Sequence, residues 1–476
     1  MNKVFFLFLI LISISTANEY QKWLESQSQQ YNIYKKDMDK EFSDLLKKDW
    51  KMFKSIQQPS TYSKPKPQNI PIIRNPSNNT TKEINNSPIV IVKPIKKLPL
   101  KYTTIKKEKN IKNFITKDFL FYSIEISIQY DKKTNFTPKE INKNTISNFW
   151  DMMSKTQWKK LITQIESYTN NLGLNDWAKY QFIYSLGLNI FEDNSNNANL
   201  FTWYILTKMQ YDTKVGYYLN KIYLLSTLKH NLYQVSFFTL NKKRYYVLSN
   251  NGKIQNINDL YTYQMQYPQT NKSISLEINK EMHFFNNIKN KILSFKFDKK
   301  EYLIKTQYSS DLIDFYKTFP QSDYKIYFNS KTSSLFSNSI LEELSQIIHG
   351  KSEIDAINLL LCFVQTTFKY KTDHHHFGSE KVMFPEETID YPYSDCEDRS
   401  ILFSYLIKNL LDIDVIGIKY KNHIATAIAL SSKLNGENFK YKGKRYTIAD
   451  PTYINANIGI SMPQYKNQEF EVISLK

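Results

Sequence analysis

Three residue types spread over the last hundred residues could together attack a carbonyl: Cys396 in YPYSDCEDRSILFSYLIKNL (391–410), His423 in NHIATAIAL and Asp450 in YTIADPT. Cys396 falls where a helix should begin, with Ser394 or Asp395 as its cap. The unpaired N–H groups and dipole at that end favour a thiolate, and the same N–H groups can form half of an oxyanion hole. Asp395, Glu397 and Asp398 work the other way and raise the thiol pKa, so the pattern demands a cation close to the sulfur; a protonated histidine would serve. His423 opens a strand after a tight Lys-Asn turn, in reach of the helix start. Asp450 ends the next strand, which Pro451 stops. If those strands pair, Asp450 can fix the tautomer of His423, giving a nucleophile, a base and an orienting acid. For a second oxyanion donor the candidates are the Tyr393 phenol and the Gln365 amide.

The elements around these residues read as a helix after Cys396 and then the strands DVIGIKY, HIATAIAL and KRYTIAD. Upstream, INLLLCFVQTTF is an apolar helical run in which Cys362 behaves as a small buried hydrophobe, although an oxidising compartment would permit a Cys362–Cys396 bond. The run His374-His375-His376 beside Asp373 reads as a solvated loop, because adjacent residues on extended backbone point to alternate sides and seldom ligate one ion. The acyl-transfer chemistry requires no cofactor and no metal.

DCEDRSILFSYLI, followed by a strand-borne His and then DPT, resembles the transglutaminase-like branch of the papain-like thiol enzymes. The resemblance covers about residues 345–460. It implies a papain-like α+β domain with Cys396 as nucleophile, His423 as general base and Asp450 as orienting acid. The Gly usual before the cysteine is replaced by Asp395, and the aromatic often found after the histidine by Ile424-Ala425. The remainder of the chain is similar only to accessory regions of exported bacterial members.

The first residues describe an export signal: Asn2 and Lys3, an apolar run Val4–Ile14, and small residues before a cut after Ala17. Residues 1–17 are thus expected to be removed and the mature chain to be periplasmic or extracellular; the alternative is an uncleaved anchor. Residues 18–56 carry Trp23, Tyr31, Tyr34, Phe42, Leu45, Leu46 and Trp50 among charges, as in an amphipathic helix able to self-associate. Residues 57–100 hold eight of the 15 prolines and read as an extended linker keeping that helix at a distance. The formal charge of +19 could favour anionic envelope surfaces, but lysine and asparagine are abundant throughout and no zinc-finger, recognition-helix or RNA-binding pattern is present, which argues against nucleic acid.

From about 101 the chain reads as globular. FLFYSIEISIQY (119–130) has the composition of a strand and 145–192 of helices. The divisions are an N-terminal α+β domain (101–260), a β-rich connecting region (261–340) and the domain bearing Cys396 (341–476). A weak internal repeat joins the first and last: SILFSYLIKNLLDIDVIGIKYKNHIATAIAL (400–430) parallels NLFTWYILTKMQYDTKVGYYLNKIYLLSTL (199–228), and KRYTIAD parallels KRYYVLS at the same offset. That offset sets Cys396 against Asn194 or Ser195, His423 against Ile222 and Asp450 against Ser249, so 101–260 reads as a degenerate copy that kept its apolar positions and lost the reactive ones. The expected activity is thiol acyl transfer on the amide bonds of a protein or peptide, resolved by water or by an amine. Hydrolysis is favoured because nothing encodes an amine site. The rival is a non-catalytic binding or assembly protein of the envelope.

Overall fold

The structure, a computed structural model, describes residues 23, 26–27, 37–57, 59, 66–73, 89, 92–93, 95, 113–249 and 257–475. The export-signal segment lies outside them, as do Tyr31 and Tyr34. Helix α1 (37–46) leads into β1 (Trp50–Lys54) and β2 (Ile56–Gln57). Next come a hairpin of β3 (Phe114–Phe121) and β4 (Ile124–Asp131), and then helices α2 (Lys143–Ser154), α3 (Trp158–Asn171), α4 (Asp176–Ile190) and α5 (Ser195–Lys208). Strands β5 (Thr213–Tyr218), β6 (Lys221–Ser226), β7 (Ser236–Leu240), β8 (Lys243–Val247) and β9 (Asp259–Tyr263) complete a first unit.

The order then repeats. A hairpin of β10 (Ile288–Phe297) and β11 (Lys300–Ser309) is followed by α6 (Ser310–Lys317), α7 (Tyr324–Phe328), α8 (Ser334–Ile348) and α9 (Glu353–Thr367). An insertion follows, made of β12 (Lys369–Tyr370), α10 (Asp373–Phe377), α11 (Pro385–Asp390) and β13 (Tyr393–Ser394). After it come α12 (Cys396–Leu410), β14 (Val415–Lys419), β15 (Ile424–Ile428), β16 (Asn438–Tyr441), β17 (Lys444–Ala449) and β18 (Glu471–Ile473).

Sheet topology makes the repeat explicit. The second sheet runs β18-β14-β15-β17-β16, and the first contains the same path as β9-β5-β6-β8-β7. Gly216 pairs with Thr262 of the closing strand and Gly417 with Ile473, and a Cβ at either glycine would crowd that strand. The hairpins correspond too. α3 lies on β4 and α4 on β3, as α8 lies on β11 and α9 on β10. Both hairpins turn through two non-glycine residues at positive φ, Tyr122-Ser123 and Asp298-Lys299. The α+β architecture is therefore two units of one topology.

This redraws several sequence expectations. FLFYSIEISIQY is a hairpin rather than one strand, because no Gly or Asn marks the turn and apolar alternation continues through it. Residues 261–340 are not a connector: β9 closes the first sheet, and β10, β11 and α8 belong to the second unit. Residues 18–56 are not a single tethered helix. Met38, Phe42 and Leu46 of α1 are buried, and Phe42 packs edge-on against Trp150 at 4.7 Å. Trp50 lies in β1, which joins one edge of the first sheet while β2 joins the other. Of the apolar residues expected to support self-association, Phe42 and Leu46 are thus buried within the chain, while Trp23 and Leu45 are exposed.

Nor do the described parts of 57–100 hold α1 at a distance. Residues 66–73 lie across the second unit as a strap: Ile72 bridges Ile454 in parallel, the Asn455 side chain donates to Ile73 O at 2.9 Å, and Ile70 and Ile73 pack on a core under the second sheet. Further along, Lys93 N donates to Leu410 O at 2.9 Å and Val92 and Ile95 pack on the main core. Proline-rich composition prevented a core within this segment but not docking onto one. Among the described residues no helix is long and apolar enough to cross a membrane.

Candidate active site

Helix α12 buries residues on all sides, with α9 on one flank and β14 and β15 on the other. Its first turn is enclosed although it is charged: Cys396, Glu397, Asp398 and Arg399 are all 0% exposed. Asp395 is the N-cap, and its backbone N–H donates to Asp398 Oδ2 at 3.2 Å, closing a capping box that fixes the start of the helix beneath the sulfur.

One turn along, Ser400 Oγ donates to Ile424 O at 3.1 Å, tying the helix start to the head of β15. The Ile424 N–H is directed at the Cys396 sulfur. His423, the preceding residue, is fully buried in the four-residue connection 420–423, whose ends are joined by Tyr420 N donating to His423 O at 2.8 Å. Thr426 pairs with Ala449, so the end of β17 lies beside the start of β15 and Asp450 faces His423. His423 Nε2 and Asp450 Oδ2 are 2.9 Å apart. A carboxylate only accepts, so Nε2 carries a proton, and in the neutral ring the basic lone pair is on Nδ1. Nδ1 is buried without a hydrogen-bond partner. Tyr465 stacks on the imidazole at 4.6 Å and is itself raised in pKa by burial and by the charge of Cys396, which puts it beside both groups.

Gln365 is placed otherwise than expected. Its amide N–H groups are taken by Asp450 O at 3.1 Å and Ala456 O at 3.0 Å, and its carbonyl accepts from Asn455 N at 3.1 Å. It clamps the loop behind Asp450 and has no donor left for an oxyanion. Tyr393 is half-buried on β13, edge-on to His376 at 5.2 Å with Lys371 Nζ 4.9 Å over its ring. Tyr370, in β12 next to β13, is a second phenol besides Tyr465 that feels the charge of Cys396: burial first, and then that charge, raises its pKa. The sequence carries Tyr370 in FKYKTD, at a helix end, where nothing marks it out.

Cys362 is half-buried, its Sγ 3.2 Å from Lys296 O, and no disulfide joins it to Cys396. The three histidines form one turn of helix, α10, ended by Gly378 at positive φ, rather than a loop; His374 and His375 are exposed.

The cation demanded by the sequence is neither His423 nor a near neighbour. It is Lys66 of the strap, whose side chain is 1% exposed. Its Nζ lies 2.6 Å from Asp395 Oδ2, 2.9 Å from Asp373 Oδ2 and 2.9 Å from Glu380 Oε2, and it also pairs with Glu397 Oε1. Carboxylate oxygens of Asp373, Glu380 and Glu397 lie within 4.8 Å of one another, a spacing that could hold a metal ion, and the ammonium fills that position. Burial works to lower the Lys66 pKa, but Asp395, Glu397 and Asp373 overcome it and hold it well above its usual value. Burial raises the carboxyls: Asp373 and Glu397 reach about 7, and Asp395 and Asp398 go well above their ordinary range. Burial, then Glu397 and Asp395, push the Cys396 thiol well above its normal value. Its Sγ donates to Glu397 Oε2 at 3.2 Å. Arg399, lowered to about 10 by burial, is held by Ser394 Oγ, Gln365 O and Phe368 O. The covered site therefore holds a neutral thiol beside a base already oriented.

Corrected for strand register, the first unit lacks all three groups. Gly216 faces Tyr223 and Gly417 faces Thr426, so His423 falls level with Asn220 rather than Ile222. The β5–β6 turn has only residues 219–220, two fewer than the connection that carries His423. Leu225 faces Val247 as Ile428 faces Thr447, which puts Asp450 one residue beyond the place of Ser249. Comparison of the chain with protein-family models, curated proteins and solved structures gave no match.

Proposed function

We propose that the chain is a thiol acyl-transfer enzyme of transglutaminase-like type, exported from the cell, which cleaves amide bonds of a protein or peptide with Cys396, His423 and Asp450. The observation that supports this most is the 2.9 Å pair between His423 Nε2 and Asp450 Oδ2, joined to the Ile424 amide directed at the sulfur. Together they put an oriented imidazole one residue from the amide that touches the nucleophile.

In this reading His423 Nδ1 takes the thiol proton and the sulfur forms a bond to the carbonyl carbon. The C–N bond breaks as the imidazolium returns that proton to the leaving nitrogen. Water, deprotonated by His423, then attacks the thioester, the C–S bond breaks, and the thiol is restored. Asp450 stabilises the imidazolium, and Gln365 holds the loop that carries Asp450. Tyr370 is the phenol available to the developing oxyanion. If an amine replaces water, the same steps crosslink proteins.

A second reading, a binding or assembly protein of the envelope, is favoured by the raised thiol pKa and complete burial of Cys396. Capture by a peptide-based electrophile, read by mass spectrometry at the Cys396 peptide, separates the two. Acyl transfer requires capture that is lost in Cys396→Ala and falls at least about ten-fold in folded His423→Asn, the low end of a general base's contribution. Equal capture in wild type and His423→Asn overturns it and leaves the binding reading.

A further inference from the structure

The strap enters the site as a foreign peptide would. Its backbone is held by the Ile72–Ile454 bridge, by Ile73 N donating to Ile454 O at 3.1 Å, by the Asn455 side chain on Ile73 O, and by Tyr370 OH on Pro67 O at 2.7 Å. Main-chain contacts of this kind accept an added extended segment with little regard to its side chains. Tyr370, which grips the Pro67 carbonyl, pairs with Ser394, two residues before Cys396. The strap's deepest polar side chain, Lys66, goes into the carboxylates of Asp373, Glu380, Asp395 and Glu397.

Two further observations separate a recognition pocket from a structural ion cluster. Replacing a buried ion network by apolar side chains is often neutral or stabilising, so stability alone does not account for so many acids around one ammonium. Asp395 Oδ1, in a residue 0% exposed, has no hydrogen-bond partner even with Lys66 in place. The Lys66 ammonium thus meets Asp395 through Oδ2.

We infer that the Asp373–Glu380–Asp395–Glu397 pocket is a lysine subsite, that the substrate is an extended polypeptide segment bearing a lysine side chain, and that residues 66–73 occupy the same groove as an intramolecular substitute. The inference deepens the acyl-transfer reading and rests on it for the chemistry that follows binding. Binding itself needs no reaction. An extended chain laid along the strap's path puts its lysine ammonium among the four carboxylates and a backbone carbonyl on Tyr370. The strap must then leave for the substrate to enter, so its ties at Ile73 and Lys66 set how readily the site opens.

The experiment uses the full chain in two variants. Lys66→Ala empties the pocket. Asn455→Gly removes the side-chain tie to Ile73 O, keeps the positive φ of 64° that position 455 requires, and leaves the charge cluster intact. Each is titrated with a fluorescent peptide of residues 62–73 (YSKPKPQNIPII) and with the same peptide carrying norleucine at position 66. The expected result is saturable binding of the lysine peptide, at least about ten-fold tighter than the norleucine peptide, equivalent to about 1.4 kcal/mol. Equal affinity for the two peptides, or no binding to a variant that keeps its near-UV circular dichroism, overturns the inference. Should Lys66→Ala fail to fold, Asn455→Gly decides with the same outcomes. Capture of Cys396 in Asn455→Gly with and without His423→Asn separates the two ideas. Lysine discrimination without His423 dependence keeps the subsite and removes acyl transfer, and the converse keeps acyl transfer and removes the subsite.

Discussion

Ser195 and Cys396 occupy the same place in two copies of one topology: each is the first residue after a helix N-cap, Asn194 in one unit and Asp395 in the other. What differs is the surroundings. Ser195 is exposed, whereas Cys396 is fully buried, and the hairpin after α5 is two residues too short to bring an imidazole over the helix start.

Placing a thiol at the first position therefore tests what the second unit adds. The exposed thiol introduced by Ser195→Cys should alkylate with a midpoint below the pH ~8.5 of a free cysteine, because the helix start favours the thiolate, and be indifferent to His423→Asn. Peptide-resolved labelling from pH 5.5 to 9.5 follows the introduced thiol and Cys396 in the same tube. A shared response of both thiols to His423→Asn contradicts the separation of the sites.

Tyr370→Phe removes one hydroxyl and nothing else. In the covered state it loses the bond to Pro67 O, a stability change of about 1 kcal/mol. If the phenol serves the oxyanion, kcat toward a lysine peptide ester falls by about 10²–10³ with KM little changed. A fall confined to KM would assign Tyr370 to binding alone.

Acid should stabilise this chain over part of the range where most proteins are level. Burial raises Asp373, Glu386 and Glu397 to about 7. Between pH ~4.5 and ~7 the folded chain keeps protons that the unfolded chain has released, so these groups make stability fall as pH rises through that window and stay level above it. The slope is about 1.4 kcal/mol per pH unit for each such proton. Lys66 is shifted upward, so its stabilisation persists through neutrality and is lost only in alkali. Urea unfolding at pH 5, 6, 7 and 8 reads the slope. Glu386→Gln, at a buried carboxyl bonded to Ser333 and away from the thiol, should remove one proton's share of it.

Lys208 anchors α1. It pairs with Asp39, lies 2.9 Å from Tyr267 Oη, and sits among the rings of Trp150, Trp158, Tyr204 and Tyr267. Lys208→Met leaves the buried Asp39 carboxylate without its ammonium, a loss of about 3–5 kcal/mol. Limited proteolysis should then cut within 37–46 before the rest of the first unit. Lys208→Met combined with Asp39→Asn should recover part of that loss, and no recovery would mean that the cation–ring contacts carry the anchoring.

The placement of His423 and Asp450 was readable because strand pairing is local: two runs of alternating apolar residues, a tight connection, and a proline to end the second. The helix start at Cys396 was readable from its cap. The repeat was visible only where Leu-Phe, Val/Ile-Gly and the hairpin kept similar residues. Its leading hairpins escaped notice because Tyr122-Ser123 and Asp298-Lys299 turn without glycine. The second half of the site was hidden for a different reason. Lys66 lies 329 residues before Asp395, inside a proline-rich run whose composition tells of no core of its own and nothing of what it docks against. The task of Gln365 is not legible in the sequence because the facing of a helix buried nearly all round has no periodic signature.

That sequence distance has a consequence for biosynthesis. Lys66 is made 307 residues before Asp373, so the strap waits, already synthesised, while the acidic nest that will take its ammonium is still being translated. β1 pairs with β9 and β2 with β7, so the residues ahead of the strap belong to the first sheet while Lys66 belongs to the second unit's nest. Because all four carboxylates belong to the second unit, the strap can seat its ammonium only once that unit has gathered them.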